Sequence, residues 1–331
     1  QLDAVIKAYD VRGVVGEDID ENFVRDTGAA FAAILREEGE NTVAVGHDMR
    51  PSSPSLARAF AEGVTSQGLN VTLLGLTSTD ELYYAAGSLE CAGAMFTASH
   101  NPAKYNGIKL CRAGAVPVGQ ETGLGQIKQM LIEGTPEYTG TEGAIAEQEI
   151  LAGYADFLRK LVPLEDSKPL VVAVDAANGM GGHTVPAVFD GLPFEVRDLY
   201  FELDGTFPNH EANPLDPKNL VDLQKFTVEQ KADIGLAFDG DADRCFVVDE
   251  KGQPVSPSAI CALVAGRYLD KFPGATIIHN LITSKTVPEL IKEKGGTPVR
   301  TRVGHSFIKA QMAEHKACLL YTSPSPRDLS T

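Results

Sequence analysis

The hydrophobic residues of this chain fall into short blocks that alternate with segments of helical spacing. Apolar blocks at 42–45, 71–74 and 93–96 predict β-strands, and the apolar spacing over 56–64 predicts a helix between the first two. The third block runs directly into a polar loop at 97–102. Strands that alternate with helices predict mostly parallel sheets covered by helices on both faces.

The same order of elements returns in the middle of the chain. An apolar strand at 170–174 leads into a glycine-rich turn at 175–182, and a helix follows. Further strands are predicted at 194–196 and 234–238, and the second of these ends in a polar loop at 239–243. Any α/β protein shows some self-similarity, but the matching places of the polar loops favour truly repeated domains.

A third copy starts in the last quarter of the chain and is incomplete. Its predicted elements are a strand at 275–278, a helix at 287–291 and a strand at 297–300. The pattern fails near 317–318, where a third strand should end. The fold class is therefore α/β, with repeated α/β domains whose mixed, mostly parallel sheets are covered by helices.

This periodicity also divides the chain. We expect a first domain over 1–150, a second over 151–256 and an incomplete third over 257–318. The segment 319–331 has no periodicity and contains two Ser-Pro steps. We expect it to be foreign sequence joined to a truncated gene, with a natural disordered tail as the alternative.

Acidic residues outnumber basic ones, with 45 Asp and Glu against 29 Lys and Arg and a formal net charge of -16. This charge repels polyanions, so we expect no nucleic acid partner. No apolar run reaches the ~18 residues that span a bilayer, so no membrane association is expected. The five cysteines form no CxxC pair, which indicates reduced thiols in a cytoplasmic protein.

Three carboxylates stand at alternate positions after the strand 234–238. Asp239, Asp241 and Asp243 offer the oxygen ligands that Mg²⁺ prefers. A calcium EF-hand loop has similar spacing, but it requires glycine at its sixth position, where this chain has Arg244. An EF-hand loop is also flanked by helices, whereas the acidic loop of this chain is flanked by apolar segments that predict strands. A solvated hairpin turn is the other alternative, and three clustered like charges disfavour it.

The loop at 97–102 reads Thr-Ala-Ser-His-Asn-Pro and contains Ser99, a candidate nucleophile or phosphate carrier. Taken alone, Ser-His-Asn-Pro is more often a turn or a helix cap. The adjacent Ser99 and His100 are also a weak indicator of a hydrolase triad, because a triad depends on spatial geometry. The combination of this loop with the acidic loop is far more specific.

Together the two loops resemble the active-site serine loop and the metal loop of the α-D-phosphohexomutase family. The segments 9–13 and 304–306 are similar to that family's N-terminal signature and sugar-contact segment, and the resemblance runs from about residue 5 to residue 318. The opening Tyr-Asp-x-Arg-Gly is closest to the phosphomannomutase/phosphoglucomutase branch. Phosphoglucosamine mutases usually open differently and are kept as an alternative.

The resemblance implies the parts of a phosphoryl-transfer site. Ser99 would carry a phosphoryl group, and Asp239, Asp241 and Asp243 would hold Mg²⁺ together with an oxygen of the phosphorylated Ser99. Lys109 would be the acid/base, with a pKa lowered toward neutrality by Mg²⁺ and other nearby cations. A surface lysine extending from a strand is the alternative for Lys109.

Other residues would bind substrate or assist catalysis by the same resemblance. His305 would contact the sugar or share in proton transfer, and Arg50 is expected to brace a domain interface. The remaining implied roles are substrate binding for Tyr9, Gly304, His305 and Arg244, and catalysis for Arg12, His100 and His305.

The implied activity is a mutase that interconverts hexose 6-phosphate and hexose 1-phosphate of mannose or glucose. It would work in a cleft between domains through a bisphosphorylated sugar, with hexose 1,6-bisphosphate as activator and hexose phosphates as its small-molecule partners. By this resemblance we expect the family's sugar-reading loop and its fourth domain to be missing from this chain, and we therefore expect it to isomerise poorly. A non-catalytic sugar-phosphate- or metal-binding fragment and an α/β phosphatase are the alternatives from other classes.

Overall fold

The computed structural model describes residues 2–302, 308, 311–312, 315 and 317–319. Within these residues lie three sheets, each built on parallel strands and flanked by helices. This arrangement confirms the predicted α/β class with repeated, mostly parallel sheets. None of the helices in the described part of the chain combines the length and the apolar character needed to cross a membrane.

The first sheet has seven strands in the order β1-β5-β4-β2-β3-β7, with β6 paired to β5. The strands β4, β2, β3 and β7 pair in parallel, whereas β1, β4 and β6 pair with β5 in the antiparallel sense. Their bounds are β1 Val11–Val14, β2 Thr42–His47, β3 Asn70–Leu76, β4 Ala92–Phe96, β5 Tyr105–Arg112, β6 Val116–Pro117 and β7 Ile145–Glu147.

Helices cover both faces of this sheet. Phe31, Phe60 and Ile127 bring α2, α3 and α5 into one buried cluster, and Leu82 of α4 packs with Met95 in another. Short 3₁₀ helices lie at Ala113–Ala115 and Gln120–Thr122. The helix bounds are α1 Leu2–Val5, α2 Glu21–Glu37, α3 Ser53–Ser66, α4 Thr79–Ser88 and α5 Leu124–Glu133.

The second sheet has four strands in the order β11-β10-β8-β9, with only the β10–β11 pair antiparallel. Alternate residues of β8 face opposite sides: Ala173 packs with Leu223 of α8, and Val174 packs with Val185 of α7. A 3₁₀ helix lies at Pro217–Leu220. The bounds are α6 Leu151–Leu161, β8 Leu170–Asp175, α7 Gly181–Phe189, β9 Phe194–Leu199, α8 Val221–Glu229, β10 Ile234–Phe238 and β11 Cys245–Asp249.

The third sheet has the order β13-β12-β14, all parallel. Its bounds are α9 Pro257–Lys271, β12 Thr276–Asn280, α10 Thr286–Glu293, β13 Thr297–Thr301 and β14 Cys318–Leu319. Sequence analysis does not predict β14, because two residues are too few to show the alternation of apolar and polar positions that marks a strand. Backbone pairing of Ile277 with Cys318 and of Ile278 with Leu319 places this strand nevertheless. The remaining tail, 320–331, lies outside the described residues.

Candidate active site

The serine loop leaves the carboxyl end of β4 and turns sharply at Ser99. Ser99 has φ +50°, in the left-handed region that a residue with a side chain rarely adopts, and its side chain is buried. The backbone N–H of Ser99 donates to Thr97 Oγ1 at 2.9 Å. Such a backbone conformation persists only where surrounding contacts hold it.

Arg50 supplies those contacts from the loop after β2. Its guanidinium is completely buried and all five of its N–H groups donate hydrogen bonds. The acceptors are Asp48 Oδ2 and the backbone carbonyls of Ser99, Asn101, Pro102 and Tyr105, at 2.7–3.2 Å. The ring of Phe207, which follows the second sheet's β9, lies over the same guanidinium at 5.2 Å. Arg50 therefore holds the serine loop in place and also contacts the loop after β9 of the second sheet. Sequence analysis predicts only the role at a domain interface.

The acidic loop leaves the carboxyl end of β10 and lies against the serine loop. Asp239 and Asp241 are fully buried, Asp243 is half-buried, and ligand oxygens of the three lie within 4.8 Å of one another. Ser99 Oγ donates to Asp239 Oδ2 at 2.8 Å. A Cβ at Gly240 would lie 2.4 Å from the carbonyl oxygen of Ser99, so only glycine permits this approach. The structure therefore brings together the two loops that sequence analysis selects.

Lys109 reaches the acidic loop from β5. Its Nζ lies 2.6 Å from Asp241 Oδ2 and 2.8 Å from Asp243 Oδ2. Burial acts to lower the pKa of Lys109, but the charges of Asp241 and Asp243 outweigh it and raise the pKa well above its usual value. This direction is opposite to the expected one, because the groups closest to Lys109 are carboxylates and not cations.

Arg244 connects the acidic loop with Ser99 and His100. Its guanidinium donates to Ser99 Oγ at 3.2 Å and to His100 Nδ1 at 2.9 Å, and its Nε lies 3.4 Å from Asp239 Oδ2. A guanidinium only donates, so His100 Nδ1 accepts and carries no proton in this arrangement. The hydroxyl proton of Ser99 is directed at Asp239 and not at His100, which does not fit a Ser–His hydrolase pair.

Arg12 lies in β1 at the edge of the serine loop. It donates to Asn101 Oδ1 at 2.7 Å and pairs with Asp10 at 2.5 Å, so it is fixed beside Ser99's loop with its side chain one-fifth exposed. Tyr9 is half-buried just before this strand. Gly304 and His305, the predicted sugar-contact residues, lie outside the described residues.

The acidic cluster has the features of a cation site. Burial and the charges of Asp241 and Asp243 raise the pKa of Asp239 well above its usual value. Burial also acts to raise the pKa of Asp241, but the charge of Lys109 and hydrogen bonds from Lys109 and Thr79 lower it below its usual value. Oδ1 of Asp241 and Oδ1 of Asp243 are buried without a hydrogen-bond partner among the described residues. Oxygen ligands in this state suit a hard divalent cation.

One contact of this cluster escapes sequence analysis. Thr79, the first residue of α4, donates through Oγ1 to Asp241 Oδ2 at 2.6 Å. The only local signal is the capping box of Ser78 and Glu81 at the start of α4, which predicts a helix end and not a functional contact.

Models of one protein family match three consecutive parts of the chain. Domain I of phosphoglucomutase/phosphomannomutase matches residues 3–135, domain II matches 152–252 and domain III matches 256–321, each described as an α/β/α domain. Ser99 falls in the first match and the acidic loop falls in the second.

Curated relatives and solved structures agree with these models. A phosphomannomutase of Salmonella montevideo is 37% identical over 319 residues, covering 94% of this chain and 69% of the relative. A phosphoglucomutase of Neisseria meningitidis serogroup B is 37% identical over 308 residues, covering 92% and 66%. A phosphoglucomutase/phosphomannomutase family protein from Burkholderia thailandensis superposes with a TM-score of 0.89 at 33% identity, covering 95% of this chain and 69% of that one.

Proposed function

Because this chain belongs to the phosphoglucomutase/phosphomannomutase family, we propose that Ser99 is the phosphoryl carrier of a mutase that interconverts hexose 6-phosphate and hexose 1-phosphate. The family's activity makes the chain a phosphotransferase enzyme of the mutase type. The relatives include both phosphomannomutases and phosphoglucomutases, so we propose mannose and glucose phosphates as substrates.

The observation that carries this proposal is the contact of Ser99 with the acidic loop. Its Oγ lies 2.8 Å from Asp239 Oδ2 and 3.2 Å from the guanidinium of Arg244. A phosphoryl group on Ser99 would bring negative charge beside Arg244, which can donate to phosphate oxygens. In the transfer step a sugar hydroxyl attacks the phosphorus, the bond from phosphorus to Ser99 Oγ breaks, and the proton of the sugar hydroxyl is transferred in net to Ser99 Oγ. The return step reverses these changes with the other phosphate of the bisphosphorylated sugar.

Three carboxylates would hold the metal that this metal-dependent family uses, and we propose Mg²⁺ on Asp239, Asp241 and Asp243. The bound ion supplies charge neutralisation to the transferring phosphoryl group. Oδ1 of Asp241 is buried without a hydrogen-bond partner among the described residues, and the nearest cation to Oδ1 of Asp243 is Arg244 Nε at 3.6 Å, beyond hydrogen-bond distance. These oxygens support the assignment, because buried acceptors without a donor are costly. Lys109 and Arg244 are the two cations that contact these carboxylates among the described residues, so the loop presents fewer cations than carboxylates.

Lys109 is the proposed acid/base. The neighbouring carboxylates keep its Nζ charged, so it is prepared to donate a proton to an oxygen that leaves phosphorus. Arg12 and Arg244 are proposed to stabilise phosphate charge on either side of the serine loop, with Tyr9 near the substrate. His100 is proposed to orient Arg244 through the 2.9 Å contact. Gly304 and His305 keep their proposed sugar-binding roles, and hexose 1,6-bisphosphate is the proposed activator that phosphorylates Ser99.

Intact mass spectrometry tests the carrier. After incubation with hexose 1,6-bisphosphate and Mg²⁺, we expect one phosphate on the wild-type chain, removed by phosphatase and absent from Ser99→Ala. Ser55→Ala, an exposed serine on α3, is the matched control and should keep the phosphate. A phosphate that persists on Ser99→Ala overturns the assignment. Continuous release of inorganic phosphate in place of exchange favours the phosphatase alternative.

A further inference from the structure

We propose that Thr79 is a positioning residue that orients the carboxylate of Asp241 toward the cation site, an inference that rests on the metal role proposed above. Thr79 belongs to α4 of the first sheet's layer, whereas Asp241 belongs to the loop after β10 of the second sheet. The contact therefore joins two sheets at the point where the metal would bind.

Two hydrogen bonds connect these two residues. Thr79 Oγ1 donates to Asp241 Oδ2 at 2.6 Å, and the backbone N–H of Thr79 donates to the backbone carbonyl of Asp241 at 3.1 Å. Both residues are fully buried. One bond fixes the main chain of Asp241 and the other fixes its side chain, so Thr79 determines where the carboxylate lies and how it is rotated.

The two carboxylate oxygens of Asp241 differ in their hydrogen bonding. Oδ2 accepts from Thr79 and from Lys109, each at 2.6 Å, and its acceptor capacity is used within the protein. Oδ1 is buried and has no hydrogen-bond partner in the described part of the chain. Oδ1 is thus the oxygen left for a cation. Lys109 alone would fix Oδ2 less well, since its Nζ also pairs with Asp243.

The position of Thr79 is itself well determined. Ser78 and Glu81 form a capping box around the start of α4, so the first turn of this helix has little freedom. Glu81 Oε1 also lies 3.5 Å from His183 Nε2 in α7. The backbone N–H of Met180, just before α7, donates to the carbonyl of Gly240 at 2.9 Å. The acidic loop is therefore held at consecutive residues, by α4 at Asp241 and by the start of α7 at Gly240.

Hydrogen bonds to a metal ligand commonly change metal affinity by about 10–100-fold when they are removed. We expect Thr79→Val, which keeps the side-chain shape and loses the hydroxyl, to bind Mn²⁺ about 10–100-fold more weakly than wild type. Thr79→Ser restores the donor and should bind within a few-fold of wild type. Thr77→Val is the matched control, because Thr77 is equally buried and its hydroxyl donates to Gly75 and not to the acidic loop.

The readout is Mn²⁺ titration followed by electron paramagnetic resonance of the free ion, with circular dichroism to establish folding of each variant. Wild-type affinity in folded Thr79→Val overturns the inference, and so does equal weakening in Thr77→Val. If Thr79→Val does not fold, Thr79→Ala, which also lacks the donor, replaces it and the same loss is required. Absence of Mn²⁺ binding by wild type overturns both this inference and the metal role, whereas the phosphate on Ser99 is measured independently by mass.

Discussion

Arg50→Lys is the substitution that most directly tests how the serine loop is held. The change keeps a positive charge and a long side chain, but it replaces a planar fork with a single ammonium. Arg50 donates five hydrogen bonds, one to Asp48 and four to backbone carbonyls of the serine loop and its continuation. An ammonium has three donors on one nitrogen, so at least two of the five acceptors must lose their partner.

The cost follows from burial. The two carbonyls that accept from Arg50 Nη2 belong to the buried residues Ser99 and Asn101, so water cannot replace the missing donor there without opening the loop. Pro102, by contrast, is exposed, and its carbonyl also accepts from the backbone N–H of Tyr105. Each buried acceptor left unpaired costs about 1–3 kcal/mol, so two of them amount to about 2–6 kcal/mol. The left-handed backbone of Ser99 should then relax, since the Ser99 carbonyl is among the groups that Arg50 holds.

Urea unfolding followed by circular dichroism measures this cost, and intact mass after incubation with hexose 1,6-bisphosphate measures the phosphate on Ser99. We expect Arg50→Lys to lose about 2–6 kcal/mol of unfolding free energy and to accept phosphate more slowly. Arg25→Lys is the control, because Arg25 forms a partly exposed pair with Glu62 and should change stability by less than about 0.5 kcal/mol. A loss below about 1 kcal/mol for Arg50→Lys would refute the reasoning.

Two further predictions concern folding stability. Burial opposes the charged form of His210, but the hydrogen bond to Asp175 at 2.8 Å and its charge raise the pKa of His210. The stability that this pair contributes is complete below about pH 6.5 and is lost as pH rises through the folded-state pKa of His210. His210→Gln should therefore reduce the change of the urea midpoint with pH above about pH 6.5. An unchanged pH dependence of the midpoint contradicts this prediction. Gly63→Ala would place a methyl group 1.9 Å from a backbone carbonyl oxygen of α2 and should lower the free energy of unfolding by more than about 1 kcal/mol. Gly87 in α4 has open space around the position of a Cβ, so Gly87→Ala should raise the free energy of unfolding by about 0.5–1 kcal/mol. Urea unfolding measures both. Effects of the same sign would contradict that contrast.

Most strands that sequence analysis predicts lie in the interior of a sheet, although the predicted strands at 194–196 and 297–300 belong to the edge strands β9 and β13. The apolar block at 93–96 belongs to β4, which is buried along its whole length between β2 and β5. By contrast, β7 at Ile145–Glu147 lies at the sheet's edge with mostly exposed side chains, so no hydrophobic block marks it. The order of strands in a sheet is fixed by long-range pairing and is absent from local patterns.

Some residues of the candidate site can be predicted from the sequence and others cannot. Ser99 and the three aspartates are visible in the sequence because each loop concentrates unusual chemistry after an apolar strand. The hold of Arg50 on the serine loop and the role of Thr79 have no such signal, since they come from acceptors 49 and 162 residues away along the chain, and sequence analysis predicts only an interface role for Arg50. The pKa direction of Lys109 is missed for the same reason, because it depends on which side chains meet across the two sheets.

Charge balance explains why these elements must meet. Three aspartates on one loop would repel each other if the loop folded with the second sheet alone. Lys109 from β5 and Arg244 from the acidic loop itself place two cations beside the three aspartates, and Thr79 from α4 adds a neutral donor. The first sheet's layer thus supplies one cation and one hydroxyl that the second sheet's loop lacks. A divalent cation at the same carboxylates would provide further positive charge. The contacts between the first sheet's layer and the second sheet's loop are therefore also the contacts that shape the cation site.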